Sequence, residues 1–485
     1  MSIVLSRLLQ QDAPLPSGGD VVVLGVTSDS REVKPGFVFA ALPGTKANGG
    51  DYIAEAFAGG AVAAIAQRGS YEGAGLIVES DNPRRLLALM AARFYDRQPD
   101  TIVAVTGTNG KTSVSVFVRQ IWAAMGFRAA SLGTIGMVGP DGSEYLAHTT
   151  PGPLQLAQLV AKLRDDHIQH LAIEASSHGL AQYRLDGLRL TAGAFTNLTQ
   201  DHLDYHNSFE AYFAAKMRLF DELLPRSSAA VINMDSPRGA DVLQHAIKAE
   251  LVPFTVGRNG EDLKLVQSTT NGLGQELVIE SKLGQHLVSL PLVGDFQVSN
   301  ALVAAGLVIA SGGEIGLVLH ALESLSGASG RLELVGVTNS GASVFVDYAH
   351  TPDALENAIS ALRPFAKGRL HVVFGCGGDR DKGKRPLMAA AVAKHADVAY
   401  LTDDNPRTED PAQIRKDALV GAPHAIEIGD REKAIATAVA ALEHDDILLV
   451  AGKGHEEGQT IGTTVMPFKD HDAVAAAIAG RAYHG

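Results

Sequence analysis

The sequence predicts an α/β protein of three domains built around parallel sheets. Three features carry that expectation. The chain has 485 residues, and domains run to about 150 residues each. Short apolar runs alternate with helical stretches through its middle and end, the pattern of parallel strands joined by crossover helices. Two polar or small-residue breaks interrupt the alternation, Arg97-Gln98-Pro99-Asp100 and Leu325-Ser326-Gly327-Ala328-Ser329-Gly330. The expected domains are therefore 1–98, 99–327 and 328–485.

In the first domain, β-rich runs at 21–26, 37–41, 61–66 and 76–78 alternate with Gly and Pro turns, and a helix is expected over 83–95. The second opens with an apolar strand at 101–106, a glycine loop and an amphipathic helix over 112–125. Further strands are expected at 170–174, 193–197 and 229–233. The third repeats the alternation with strands at 344–346, 370–374, 398–401 and 447–450. Open parallel sheets bind ligands at the carboxyl ends of their strands. Residues 347, 375–379, 403–407 and 452–456 fall at such ends.

Hydrophobic residues make up 46% and charged residues 20%, which excludes a disordered or collagen-like chain. Lys and Arg number 41 against 54 Asp and Glu, a net charge of -13, so the chain is not built to wrap a nucleic-acid backbone. Helix N-termini and single lysines still bind anions locally. The one cysteine, Cys376, excludes an intrachain disulfide and an all-cysteine zinc site, and fits a reducing compartment. The longest apolar stretch, 301–310, is too short to span a bilayer. The N-terminal residues lack the basic-then-apolar pattern of a secretory leader. The expectation is a cytoplasmic protein with no membrane insertion and no nucleic-acid partner.

Gly107-Thr108-Asn109-Gly110-Lys111-Thr112 follows a strand and opens a helix. A nucleoside triphosphate needs backbone N–H groups around its phosphates, a lysine on the outer phosphates and a hydroxyl on Mg²⁺. This loop has all three, although the first Gly of the strict phosphate-loop pattern is Val105. Glu174-Ala175-Ser176-Ser177-His178 ends another strand, and Glu174 stands where a strand-end acid holds Mg²⁺ or caps a helix. Asn197-Leu198-Thr199-Gln200-Asp201-His202-Leu203-Asp204-Tyr205-His206 crowds acids and imidazoles onto one turn. Helix capping by Thr199 or Asp201, Mg²⁺-nucleotide contact, and zinc held by His202 and His206 all stay open.

Lys216 lies on an apolar helical face with Phe209, Tyr212, Phe213, Leu219, Phe220 and Leu223. Either it snorkels from the edge, or it is buried with a lowered pKa. A neutral amine reacts with CO₂ to give a carbamate, turning a cation into a metal-binding carboxylate. Asp404-Asn405-Pro406-Arg407 repeats the letters of Asp81-Asn82-Pro83-Arg84. The earlier copy looks like a helix start, with Asn as cap and Pro in the first turn. Only the later copy follows a strand at the crevice end of a sheet.

These segments occur in the order seen in the Mur ligases, as do Gly294-Asp295-Phe296-Gln297-Val298-Ser299-Asn300, Gly330-Arg331-Leu332-Glu333, Asp347-Tyr348-Ala349-His350-Thr351-Pro352, Gly375 to Pro386 and Gly452-Lys453-Gly454-His455-Glu456. The resemblance spans the whole chain. It implies a small mixed α/β N-terminal domain that binds UDP, a central P-loop ATPase-like domain, and a C-terminal Rossmann-like domain that binds an amino acid. It also implies an ATP-dependent amide ligase of peptidoglycan precursor synthesis, acting through an acyl phosphate. Within the family it is most similar to the members that add meso-diaminopimelate to UDP-N-acetylmuramoyl-L-alanyl-D-glutamate. A sibling that adds L-lysine, a folylpolyglutamate synthetase-like ligase and a non-catalytic nucleotide-binding scaffold are the alternatives.

The resemblance assigns roles position by position. Gly107, Thr108, Asn109, Gly110, Lys111, Thr112, Ser113, Asn300 and Arg331 would contact ATP. Thr112, Glu174, His202 and Lys216, as its CO₂-derived carbamate, would hold Mg²⁺. Lys111, Glu174, His202, Lys216, Asp347 and His350 would be catalytic. Ser28, Ser30, Thr45, Lys46, Ala47, Thr149, Thr150, Ser176, Gln182 and Arg184 would bind the UDP-linked dipeptide. Arg380, Asp404, Asn405, Pro406, Arg407, Gly452 and Glu456 would bind diaminopimelate. Gln297 stands where relatives often carry Asn, and His148 receives no role. The protein is expected to be a monomer.

Overall fold

The computed structural model describes residues 2–44, 48–71, 73–199 and 203–481. The chain forms two compact units, one of Met1–Lys264 with Leu302–Ala321 and the other of Leu265–Ala301 with Leu322–Gly485.

The first unit contains two main sheets and a small antiparallel pair, Ile3–Val4 with Val22–Val23. Strands Gly25–Thr27, Phe37–Ala40, Ala63–Gln67 and Ile77–Ser80 pair in that order, all parallel. Alternate side chains point to opposite faces of a strand. Val38, Ala40 and Ile65 therefore pack with the helices Leu5–Leu9 and Pro83–Tyr95. Phe39, Ala64 and Ala66 pack with Ile53 and Ala56 of the helix Ile53–Ala58. The expected strand at 21–26 is two strands, Val22–Val23 and Gly25–Thr27. Pro83–Tyr95 starts as its letters suggest. Asn82 accepts a bond from the Arg85 N–H at 3.0 Å, and Pro83 occupies the first turn.

The larger sheet orders its parallel strands Ala129–Gly133, His170–Glu174, Thr101–Thr106, Ala192–Phe195, Ala229–Asn233 and Val252–Gly257. An antiparallel hairpin, Gly136–Gly139 with Gly142–Glu144, extends one edge. Both faces are covered, so the strands are continuous apolar runs. Three neighbouring strands end side by side, and they deliver Gly107, Glu174 and Thr196 to one edge. The expected strand at 193–197 stops at Phe195, because the Thr196 and Asn197 side chains turn to hydrogen-bond Asn109.

The second unit is centred on strands Glu333–Val337, Ser343–Asp347, Ile447–Ala451, Leu370–Cys376, Val398–Asp403 and Ile426–Glu427, in that order. The first pair is antiparallel and the others parallel. Phe345 and Leu449 face one apolar layer, while Val344, Val346, Leu448 and Val450 face the other. Arg431 and Asp470 form a fully buried ion pair that ties Arg431–Ala440 to Asp470–Ile478.

The sequence pattern predicts no strand between 233 and 344, yet Val252–Gly257, Leu263–Asn271, Gly274–Ser281, Gly284–Leu290 and Glu333–Val337 lie there. In Gly274–Ser281, buried Leu277 and Ile279 alternate with half-buried Glu276 and Val278. A strand half-exposed in this way has no continuous apolar run to mark it. Among the described residues, no helix is long and apolar enough to cross a membrane.

Cys376 is buried against Met388 at the end of its strand. Burial pushes its thiol up to about 12. The thiolate is the reactive form, so at about pH 8 roughly one molecule in ten thousand carries it. The native protein should therefore show no thiol reactive toward a disulfide reagent within minutes, and one after unfolding in guanidinium. Rapid stoichiometric labelling of the native protein would contradict this burial.

Candidate functional site

The glycine loop sits between the strand Thr101–Thr106 and the helix Lys111–Ala124. Gly107 has φ +149°, and a Cβ there would collide with Thr196 Oγ1. Gly110 is left-handed at the helix start. The first backbone N–H groups of a helix have no partner within it and make an anion site. The neighbouring strand end braces the loop. Thr108 N–H donates to the Asn197 carbonyl and Asn109 N–H to Asn197 Oδ1, both at 2.9 Å. Thr196 Oγ1 donates to the Asn109 carbonyl at 2.6 Å, and Tyr212 OH to Thr108 Oγ1 at 3.2 Å.

Two lysines meet on this loop. Lys111 Nζ donates to the carbonyls of Gly107 at 2.9 Å and Thr108 at 2.8 Å. Lys216 Nζ donates to the same Gly107 carbonyl at 2.7 Å and lies 4.3 Å from the Tyr212 ring centre. Lys216 is 1% exposed, so its head does not snorkel to solvent. Its helix, Phe209–Arg218, runs into a single π-helical turn at Leu219–Leu223, a distortion that recurs at functional sites. Arg218 anchors the helix end through the Leu180 carbonyl, Glu222 and buried Asp186. Burial raises the Asp186 pKa, while Arg218 and Arg85 oppose that rise.

Glu174, also buried, accepts bonds from Thr134 N–H at 2.7 Å and Thr134 Oγ1 at 3.1 Å. Around it the structure gathers five of the ten expected dipeptide contacts. Thr149 Oγ1 lies 3.1 Å from Thr134 Oγ1. Thr150 Oγ1 donates to the Glu174 carbonyl at 2.8 Å and lies 2.9 Å from Ser176 Oγ. Arg184 donates to the Thr150 carbonyl at 2.6 Å and to Gln182 Oε1, and Gln182 donates to Tyr205 OH. Burial lowers the Arg184 pKa, and the Arg84 charge lowers it further. Ser28 is exposed and Ser30 half-buried at the end of the smaller sheet. No hydrogen bond among the described residues joins either to this cluster. Thr45, Lys46, Ala47 and His202 lie outside the described residues, so the suggested His202–His206 zinc pair does too. Thr112 and Ser113 are buried in the first turn of their helix.

In the second unit, Asn300 Nδ2 donates to Gln297 Oε1 at 3.0 Å, and Gln297 Nε2 donates to the Arg331 carbonyl at 3.2 Å. Gln297 thus sets two of the expected ATP residues. Burial raises the Asp347 pKa, and both its oxygens accept backbone N–H groups, from Leu332 and Ala349. Asp347 therefore shapes its loop, and His350 is exposed with Nδ1 donating to the Tyr348 carbonyl. His455 is lowered to about 4, by burial first and then by Arg331.

The 404–407 segment is not a helix start. It follows Val398–Asp403 and is held along its length by the hairpin Gly458–Ile461 with Thr464–Pro467. Gln459 donates to the Asp404 carbonyl, Thr460 N–H to Asn405 Oδ1, Arg407 N–H to the Thr460 carbonyl, and Gly462 N–H to the Arg407 carbonyl. Arg407 has φ +51°, a conformation that costs a non-glycine residue about 1–3 kcal/mol. Its Nη1 donates to the Gly378 carbonyl at 2.8 Å. A Cβ on Gly377 would touch both Arg407 and Arg380, and Arg380 is exposed beside them. Gly452, at φ +121°, leaves room for the Asp404 carboxylate. Asn405 donates to Glu456 at 2.9 Å.

Sequence reasoning missed Thr134, Tyr212 and the whole 458–467 hairpin as parts of these sites, and it singled out Gln297 without its partners Asn300 and Arg331. Tyr212 was legible only as one apolar face residue among several. Thr134 and the hairpin carry no local signal, since their partners are 40 and about 55 residues away.

Three Mur ligase family descriptions match the chain: "Mur ligase family, catalytic domain" over residues 22–95, "Mur ligase middle domain" over 105–308 and "Mur ligase, glutamate ligase domain" over 330–454. A UDP-N-acetylmuramoyl-L-alanyl-D-glutamate–2,6-diaminopimelate ligase of Mesorhizobium japonicum is 54% identical over 469 residues, 96% of this chain and 97% of its own. The ligase of that name from Brucella melitensis biotype 1 is 51% identical over 467 residues, covering 96% of this chain and 95% of its own. A solved structure of a ligase of that name is 32% identical, with a TM-score of 0.74, and covers 99% of both chains. With these matches over nearly its whole length, the chain belongs to the Mur ligase family.

Proposed function

We propose that this protein is an ATP-dependent amide ligase that joins meso-diaminopimelate to UDP-N-acetylmuramoyl-L-alanyl-D-glutamate, in peptidoglycan precursor synthesis. The observation that carries the chemistry is the convergence of Lys111 and Lys216 on the Gly107 carbonyl beside a helix N-terminus. The two substrates come from relatives more than half identical to the chain and named for that reaction. Its ATP and UDP-linked substrate support a cytoplasmic reaction. We expect a monomer to suffice, and we keep 1–98, 99–327 and 328–485 as the functional domains.

A carboxylate is a poor acylating agent because oxide is a poor leaving group. The substrate carboxylate oxygen attacks the γ-phosphorus, the bond to ADP breaks, and an acyl phosphate forms. The amine of diaminopimelate then attacks the carbonyl carbon, loses a proton and expels phosphate. Residues 107–113 would cradle the triphosphate, with Lys111 swinging from its own loop carbonyls to the outer phosphates. Asn300 and Arg331 would contact the nucleotide, with Asp347 and His350 supporting its site. Thr149, Thr150, Ser176, Gln182 and Arg184 would orient the dipeptide, with Ser28, Ser30 and residues 45–47 on its UDP end. The cationic pair Arg84 and Arg184 suits an anionic substrate.

Thr112 and Glu174 fit Mg²⁺, because both offer oxygen, the donor that ion takes along with phosphate oxygens and water. Among the described residues no three or more His, Cys, Asp and Glu gather as a metal cage, so the phosphates would complete the coordination. We assign His202 and carbamylated Lys216 to the same role. When bound, Mg²⁺ neutralises charge where carboxylate and triphosphate must approach. A carbamate nitrogen keeps one N–H, so Lys216 could still donate to the Gly107 carbonyl once modified.

Phosphate release that needs ATP, the UDP-linked dipeptide and diaminopimelate together tests the function as a whole. Lys216→Ala should cut turnover by about 10²–10³-fold or more while circular dichroism stays native. Acetate or propionate should restore part of it by filling the vacated carboxylate position. Near-normal turnover in Lys216→Ala would remove the carbamate from the mechanism.

Selection of the amino acid should depend on Arg407. Diaminopimelate and lysine differ by one carboxylate at the far end of the side chain. A guanidinium forms a two-point contact with a carboxylate and is left facing an ammonium when lysine binds. A site built for a polar group rejects an analogue lacking it by roughly 10⁴-fold. In direct competition the enzyme should therefore use diaminopimelate almost alone, and Arg407→Ala should erase most of the preference. Preference for lysine, or unchanged selectivity in Arg407→Ala, would overturn the assignment.

A further inference from the structure

Lys453 is 0% exposed. A buried ammonium is costly unless it is paired and hydrogen-bonded. Lys453 Nζ donates to Asn405 Oδ1 at 3.1 Å and to Glu456 Oε2 at 3.0 Å. Asn405 Oδ1 also accepts the Thr460 N–H at 2.9 Å. With two donors on its oxygen the amide has one orientation, and its Nδ2 donates to Glu456 Oε2 at 2.9 Å. Glu456 Oε2 is thus gripped by two donors, while the side chain remains 33% exposed. One carboxylate is held in place by buried groups and presents its free side to a ligand.

We infer that Lys453 is a positioning residue of the amino-acid site, acting through Asn405 and Glu456 to fix a carboxylate for an ammonium group of the incoming amino acid. The inference rests on the reading of residues 404–407 and 452–456 as that site. Lys453 itself touches no substrate. Its charge matters because it fixes the Glu456 carboxylate in direction, and because the Asn405 amide takes its orientation from the same ammonium.

Lys453→Met keeps the length and apolar stem of the side chain and removes the charge. The KM for diaminopimelate should rise by about 10–100-fold, the cost of leaving buried partners unsatisfied. The KM values for ATP and the UDP-linked dipeptide should stay within about twofold. Positional isotope exchange in ATP, driven by the UDP-linked dipeptide without amino acid, should run at the wild-type rate. In a double-mutant cycle with Glu456→Gln, the second substitution should add little to the KM effect of the first. An unchanged KM for diaminopimelate, an equal loss of isotope exchange, or full additivity would each overturn the positioning role. Should Lys453→Met not fold, as judged by circular dichroism, Lys453→Gln is measured against the same outcomes. It keeps a donor for Asn405 but not the charge. Wild-type protein that releases no phosphate with diaminopimelate would sink the functional reading itself, which separates the two failures.

Discussion

The Gly107 carbonyl accepts hydrogen bonds from both Lys111 and Lys216, and much of the first unit serves to keep that meeting possible. A buried polar head is costly unless it is hydrogen-bonded. The parallel sheet makes the arrangement feasible by ending three neighbouring strands at one edge, so that residues 107, 174 and 196 emerge together. Gly107 has no side chain because Thr196 occupies that space. Tyr212 offers its ring face to Lys216 and its hydroxyl to Thr108. These contacts hold both lysine heads at the edge of the sheet, beside the helix N-terminus at Lys111.

The second unit handles buried charge by pairing. Arg431 and Asp470 are fully buried and bonded at 2.7 and 2.8 Å. Lys453 is equally buried but shares its charge between an amide and a half-exposed carboxylate. A pair such as the first ties two helices together. An arrangement such as the second leaves one partner accessible and holds it in one direction. The strained backbone of Arg407 lies beside it, bonded on both sides to the 458–467 hairpin. Strain of this kind persists only where surrounding contacts over-determine it.

How much of this was legible depended on how local the cause was. Thr101–Thr106, His170–Glu174 and Ala229–Asn233 match the expected strands, since strands buried on both faces appear as unbroken apolar runs. The glycine loop was legible because phosphate chemistry demands particular residues in a row. The strands from 252 to 290 were not, because one exposed face breaks the run. Lys216 could be placed on an apolar face by helical spacing, yet only the structure shows its head on a loop carbonyl 109 residues away. The partners of Glu174, Gln297 and Lys453 were hidden for the same reason, since each contact joins segments that the chain does not place together.

The two copies of Asp-Asn-Pro-Arg show how completely context decides. At 81–84, Asn82 caps a helix and Pro83 fills its first turn, where a missing N–H costs nothing. At 404–407 the same letters follow a strand whose next residues are claimed by a hairpin. There the asparagine oxygen is taken by Thr460 and Lys453, so it cannot cap anything, and its amide is turned toward Glu456. The arginine donates to the Pro43 carbonyl in the first copy and is held in a left-handed conformation in the second. The tetrapeptide has no intrinsic role. The difference is made by which donors claim the asparagine oxygen, the Arg85 N–H in the first copy and Thr460 N–H with Lys453 in the second.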